Sequence, residues 1–233
     1  MQKDPDLHGG FALTPLTLVF DLDGTLAQTA PDLINALNHV LAGDGVADVP
    51  VEAARGLVGA GARALLERGY ARAGRSLTPA RLDALFGEFL AFYNAHIADE
   101  STLFPGVAAC LDRCRAEGWR LAVCTNKLEH SSLLLLDKLG VRDRFAFVCG
   151  QDTFGVAKPD PRPYVETVAR AGGIVERSLM VGDSITDIRT ARAAGVPVVA
   201  VDFGYTDVPV TELGPDRVIS HFDALDEAVR ALT

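Results

Sequence analysis

Basic charge is scarce in this sequence. Its 233 residues carry 22 Lys and Arg against 31 Asp and Glu, giving a formal net charge of −9 and a pI near 5.0. Binding to nucleic acid needs a basic footprint that displaces counterions, so DNA and RNA are not expected partners. Lysine itself is rarer than arginine, four against 18. No uninterrupted apolar run approaches the roughly 18 residues of a membrane helix, so no membrane partner is expected either. The start of the chain mixes Asp4 and Asp6 with Lys3, and no apolar stretch of the signal-peptide kind follows before Asp21. Cysteine is sparse too: Cys110, Cys114, Cys124 and Cys149 form no C-x-x-C pair, and five scattered histidines add no zinc spacing. They read as reduced, buried thiols of a cytoplasmic protein.

What is present is ordinary globular material, 48% hydrophobic and 23% charged, enough for one large domain or two modest ones. Residues 16–20 (L-T-L-V-F) are an apolar run that ends abruptly at Asp21, and similar runs recur at Arg120–Cys124, Phe145–Cys149, Leu179–Val181 and Val196–Val201. Between them lie helical patterns at Val107–Glu117, Ser131–Leu139, Pro161–Ala171 and Ile185–Ala194, closed by Gly118, Gly140, Gly172 and Gly195. Strands alternating with helices of this length predict right-handed crossovers and a parallel sheet covered on both faces. From about residue 30 to 100 the rhythm breaks. Pro31–Leu41, Val51–Arg68 and Pro79–Ala98 read as amphipathic helices with no strand between them, entered near Ala27–Thr29 and left near Asp99–Phe104. The expected architecture is a three-layer, Rossmann-like α/β core (16–28 and 101–233) with an inserted α-helical cap (29–100).

Four predicted strand ends carry polar groups, and ligands of open α/β sheets bind outside the carboxyl ends of the strands. The first ends in D-L-D-G-T-L, so Asp21 and Asp23 can share a cation or divide nucleophilic and acid/base roles. The second ends in Thr125 and Asn126, where a hydroxyl can donate to a phosphoryl oxygen. Lys158, in A-K-P-D-P, is a point charge on a backbone stiffened by prolines. Val181–Asp187 (V-G-D-S-I-T-D) adds Asp183, Ser184 and, one helical turn on, Asp187. Each group alone fits a turn, a helix cap or a solvated side chain. Together, several carboxylates, a lysine and a hydroxyl are what phosphoryl transfer with Mg²⁺ requires. Two other features point elsewhere only in letters. G-A-G-A-R-A at 59–64 matches a dinucleotide fingerprint but has no preceding strand, and Arg63, Arg68, Arg72 and Arg75 read as a solvated helical face. The alternative for those arginines is an electropositive rim that attracts anions.

With D-L-D-G-T-L (21–26), T-N (125–126), K-P (158–159) and G-D-S-x-x-D (182–187), the chain resembles the haloacid dehalogenase (HAD) superfamily of phosphohydrolases, in its branch with a helical C1 cap. Within it, T-A-P-D-L-I-N-A-L-N (29–38), F-P-G-V (104–107), C-T-N-K (124–127) and F-G-Y (203–205) are similar to the bacterial phosphoglycolate phosphatases. One departure is Gln28, where many relatives carry an Asp; it falls in the entry to the cap, and an effect on closure or substrate choice is expected.

The resemblance implies that Asp21 attacks phosphorus and forms an aspartyl-phosphate, while Asp23 protonates the leaving group and then activates water. It implies Mg²⁺ on the Asp21 carboxylate, the Asp23 carbonyl and the Asp183 carboxylate. Thr125 and Lys158 would bind the phosphoryl oxygens, with Asn126, Ser184 and Asp187 in support. The implied substrate is a small phosphorylated metabolite, 2-phosphoglycolate first, with pyrophosphate, a sugar phosphate or a nucleotide as alternatives. Arg55 and the amides around Gly59 and Gly61 are then candidates for its carboxylate. A mutase retaining the phosphoryl group is a weaker rival. Dehalogenation is disfavoured because Asp23 is present, and a phospho-acceptor module of the receiver type has about half this length and no cap. The chain is expected as a monomer or homodimer.

Overall fold

The computed structural model describes residues 14–233; the mixed-charge stretch at the very start of the chain lies outside them. Among the described residues the main sheet has six parallel strands in the order β5-β4-β1-β6-β7-β8. These are β1 (Thr17–Phe20), β4 (Arg120–Cys124), β5 (Phe147–Cys149), β6 (Ser178–Gly182), β7 (Val198–Val201) and β8 (Arg217–Ile219). All four residues of the central β1 are buried, which is why this strand reads as an unbroken apolar run and not as an alternation. The helices α4 (Val107–Ala116), α5 (Glu129–Lys138), α6 (Arg162–Arg170), α7 (Ile185–Ala194) and α8 (Leu225–Arg230) connect and cover the strands. Every apolar run picked out above overlaps a strand, and Leu179–Val181 lies wholly inside β6. The exception in the other direction is β8, a three-residue edge strand with only one buried position.

The helical insertion leaves the sheet after β1 and consists of α1 (Ala30–Gly43), α2 (Ala62–Arg72) and α3 (Pro79–Ala95). The connecting segments pair as a small antiparallel ribbon, β2 (Ala27–Gln28) against β3 (Thr102–Leu103). Asp32 closes this entry from the first turn of α1: its carboxylate accepts from the amides of Glu100 and Ser101 and from the Ser101 hydroxyl. Gln28 pairs with Thr102 in the ribbon and is exposed. The expected single helix over 51–68 requires correction. Val51–Ala54 is one 3₁₀ turn, and α2 starts only at Ala62. Gly56, Gly59 and Gly61 between them have φ of 73°, 100° and 87°, a left-handed backbone that no α-helix tolerates.

At the end of β5, Gly150 passes against the start of α5, and a Cβ there would lie 2.2 Å from the Glu129 amide nitrogen. The obstacle is backbone, so it cannot rotate away. Gly150→Ala is expected to destabilise the fold by about 1–3 kcal/mol, the usual cost of overpacking. Urea denaturation measures this, and an unchanged midpoint would show that β5 and α5 can separate freely.

Candidate active site

Register places the site. Phe20 pairs with Val123 on one side and Val181 on the other, so Asp21, Thr125 and Asp183 all emerge just beyond the same sheet edge. Asp23 follows on the turn made by Gly24, whose φ is 90°. That turn is crowded: a Cβ on Gly24 would sit 2.6 Å from the Asp183 carboxylate, and one on Gly204 would sit 2.2 Å from the Asp183 Cβ. Asp183 is therefore gripped between two glycines. Its carboxylate also accepts from the Tyr205 amide at 2.7 Å and the Thr25 hydroxyl at 3.3 Å.

Two buried ammonium groups order the floor. Lys158 Nζ donates to Asp21 at 2.7 Å and to Asp187 at 2.6 Å. Asp187 in turn accepts from the amide and hydroxyl of Ser184, which caps α7, so both its oxygens are engaged. Asn126 fastens the lysine's own backbone by donating from its side-chain amide to the Lys158 carbonyl at 3.1 Å. The second ammonium, Lys127, was not among the expected site residues. Its Nζ lies 2.9 Å from both oxygens of Asp23 and 4.6 Å from the centroid of the Tyr93 ring. Thr125 Oγ1 accepts from the Lys127 amide, which sets the turn that aims Lys127 back at β1.

Electrostatics at this floor are strained toward negative charge. Burial, opposed by Lys158 and aided by Asp187, pushes the Asp21 carboxyl up to about 6. Burial, with Asp187 and Asp21 adding repulsion, raises Asp183 well above the usual carboxylate range. Burial works against charge on Lys158 and Lys127, yet the neighbouring carboxylates outweigh it and hold both above the ordinary lysine value. Burial also lifts the Tyr93 phenol well above its usual range.

This donor set fits a divalent cation. Oxygens of Asp21, Asp183 and Asp187 lie within 4.8 Å of one another, and all three residues are buried. Asp187 has both oxygens committed to Lys158 and the Ser184 cap, which leaves Asp21, with one oxygen on Lys158, and Asp183, held only by an amide and a hydroxyl, as the carboxylates better able to take a cation. The Asp23 carbonyl accepts none of the backbone hydrogen bonds among the described residues. Hard oxygens in this number suit Mg²⁺ better than Zn²⁺, and a cation would relieve the repulsion that raises Asp21 and Asp183.

Above the floor, a cavity is bordered by Asp21, Asp23, Thr125, Asn126 and Lys127 below and by apolar side chains of the insertion, such as Leu33, Leu65 and Phe89, above. A model of the haloacid dehalogenase-like hydrolases matches residues 18–201, the span that carries every residue bordering this cavity together with Lys158, Asp183 and Asp187. The chain belongs to this family.

Among the chain's relatives, the phosphoglycolate phosphatase of Mesorhizobium japonicum is 52% identical over 208 residues, covering 89% of this chain and 92% of its own. That of Agrobacterium fabrum is 48% identical and covers 93% of both. Among solved structures, a predicted phosphoglycolate phosphatase from Haemophilus somnus superposes with a TM-score of 0.85 at 28% identity, covering 92% of this chain and 97% of that one. CbbY from Rhodobacter sphaeroides, in complex with phosphate, gives 0.76 at 26% identity, covering 91% and 96%. The chain is thus a hydrolase of the haloacid dehalogenase-like family, an enzyme with a Rossmann-type core.

The insertion contributes less than expected at one point and more at another. Gly59 and Gly61 border the cavity, with Gly61 capping the start of α2. Arg55 is exposed and is not among the lining residues. Arg63, Arg68, Arg72 and Arg75 are exposed, as a solvated face should be; three of them also make contacts within the insertion, Arg63 with Asp83, Arg68 with the Gly56 and Leu57 carbonyls and Arg75 with the Asp44 carbonyl. The four cysteines are free and buried, and no helix among the described residues is long and apolar enough to cross a membrane.

Proposed function

We propose that this hydrolase cleaves a small phosphomonoester, 2-phosphoglycolate, to glycolate and phosphate through an aspartyl-phosphate on Asp21, with Mg²⁺ as cofactor. The observation that carries the chemistry is the pairing of Asp21 and Asp23 on one cavity floor, each facing its own buried ammonium. Lys158 and Asp187 fix the Asp21 rotamer, so one carboxylate oxygen faces the cavity while the other is held by the lysine. That oxygen attacks phosphorus as the bond to the ester oxygen breaks, and Asp23 gives the departing alkoxide its proton. Water then attacks the aspartyl-phosphate, Asp23 takes the water's proton, and release of phosphate restores the Asp21 carboxylate. Thr125 Oγ1 and Lys158 donate to the phosphoryl oxygens through both steps. Mg²⁺, held by Asp21, Asp183 and the Asp23 carbonyl, would supply charge neutralisation for the incoming phosphate. The apolar roof from the insertion keeps bulk water away, which strengthens each of these contacts.

The substrate is supported by two observations. The relatives at 48–52% identity are phosphoglycolate phosphatases and match nearly the full length of the chain. The charged side chains lining the cavity, Asp21, Asp23 and Lys127, all lie on the floor, so a short substrate with its charges close together fits better than a long one with charges far apart. In a phosphate-release panel with Mg²⁺, 2-phosphoglycolate is expected to exceed pyrophosphate, hexose phosphates and nucleotides in kcat/KM by roughly tenfold or more, the value of one well-placed charged contact. A rival ahead by that factor would replace the substrate and leave the chemistry standing.

A further inference from the structure

We propose that Lys127, seated against the ring of Tyr93, is the subsite for the substrate's second anion, the carboxylate that is not transferred. The inference rests on the phosphoglycolate reading above and names the residue that would make the enzyme selective for it.

Lys127 is the one basic residue among those lining the cavity. Its side chain is only 5% exposed, so whatever reaches the ammonium must enter through that cavity. An ammonium has three protons to donate. Asp23 provides two acceptor oxygens and is the single carboxylate Lys127 touches, whereas Lys158 is already divided between Asp21 and Asp187. Each ammonium therefore keeps one donor: that of Lys158 sits beside the nucleophile, where the transferred phosphoryl group lies, and that of Lys127 is left for a further anion.

Tyr93 supplies the second half of the subsite. Its side chain is buried and borders the same cavity, and its hydroxyl has no hydrogen-bond partner among the described residues. A buried hydroxyl without a partner is costly, and a carboxylate oxygen arriving on Lys127 would satisfy it. Asp21 and Asp23 flank a single residue, Leu22, and border the same cavity, which suits a short substrate. The substrate 2-phosphoglycolate separates phosphorus from its carboxylate carbon by one oxygen and one methylene. Phosphorus at Asp21 and a carboxylate over the Asp23–Lys127 pair are thus within one small molecule's reach. Arg55, exposed and outside the cavity, has no such access.

The test compares kcat/KM for 2-phosphoglycolate and for ethyl phosphate, which replaces the carboxylate by a methyl group, in the full chain with Mg²⁺. Wild type should favour 2-phosphoglycolate strongly. In Lys127→Met and Lys127→Gln the ratio of the two values should collapse by roughly 10- to 100-fold, the range for a hydrogen bond to a charged group. Both substrates will also lose rate because Asp23 loses its partner, so the ratio is the quantity that decides. Equal losses on both substrates would overturn the proposal and reduce Lys127 to a positioning residue for Asp23. Tyr93→Phe keeps the ring and removes only the hydroxyl; a severalfold fall in the same ratio is expected, and an unchanged ratio would remove Tyr93 from the subsite. A wild-type enzyme with no preference would instead defeat the phosphoglycolate reading itself.

Discussion

Asp21→Asn should leave a folded protein that releases phosphate at least about 10⁴-fold more slowly than wild type, because the variant cannot form the covalent intermediate. The side-chain oxygen of Asn can still accept from Lys158, so the lysine stays in place and the loss is confined to chemistry. Burial raises the Asp21 carboxyl to about 6 in the cation-free site, so the ionised nucleophile is held at a cost to the fold. Replacing it by a neutral amide removes that cost, and the melting temperature of the EDTA-treated variant should match or exceed that of wild type. Circular dichroism for folding and single-turnover phosphate release for rate give both halves of the result. A folded variant with near-native release would remove Asp21 from its role.

Asp183→Asn should raise the Mg²⁺ concentration for half-maximal activity by roughly 100-fold or abolish turnover, since a formal charge on a hard cation is lost while the shape is kept. The side-chain oxygen of the introduced asparagine can keep the contact from the Tyr205 amide, and the grip of Gly24 and Gly204 stays the same. Wild-type enzyme should fall silent in EDTA and recover with added Mg²⁺. Turnover in EDTA, or an unchanged Mg²⁺ response in the variant, would contradict the assignment. A merely structural role predicts lost stability instead, and the raised Asp183 carboxyl argues for the opposite sign: removing its charge relieves repulsion with Asp187 and Asp21.

Much of this architecture was legible from residues alone because it rests on local signals. Strands buried on both faces leave apolar runs, and polar residues at their ends reveal the sheet edge that carries the floor; the parallel register then brings Asp21, Thr125 and Asp183 together without further instruction. Elements shorter than a period left no pattern, as with the two-residue ribbon and β8. The break at 55–61 did carry a signal, three glycines within six residues, but hydrophobic spacing across them imitated a helix. Lys127 and Tyr205 could be read only as neighbours in short runs. Their roles depend on partners far away in the chain, Asp23 for the one and Asp183 for the other, and such pairings are decided by tertiary packing. Arg55 is the converse case: its residue type suits an anion, but it is exposed and does not line the cavity, a placement that no local signal reveals.

Tyr205 joins the strand-end carboxylates of the core to the helical insertion. Its amide holds Asp183, its hydroxyl accepts from the amides of Thr29 and Ala30 at the start of α1, and its carbonyl accepts from the amide of Gly56. One residue thus serves as a strut between the acidic cluster and the helical insertion. Any swing of the insertion that drags this strut alters how firmly Asp183 is held, and linkage makes the exchange symmetric. The factor by which such a swing weakens cation binding is the factor by which a bound cation resists the swing.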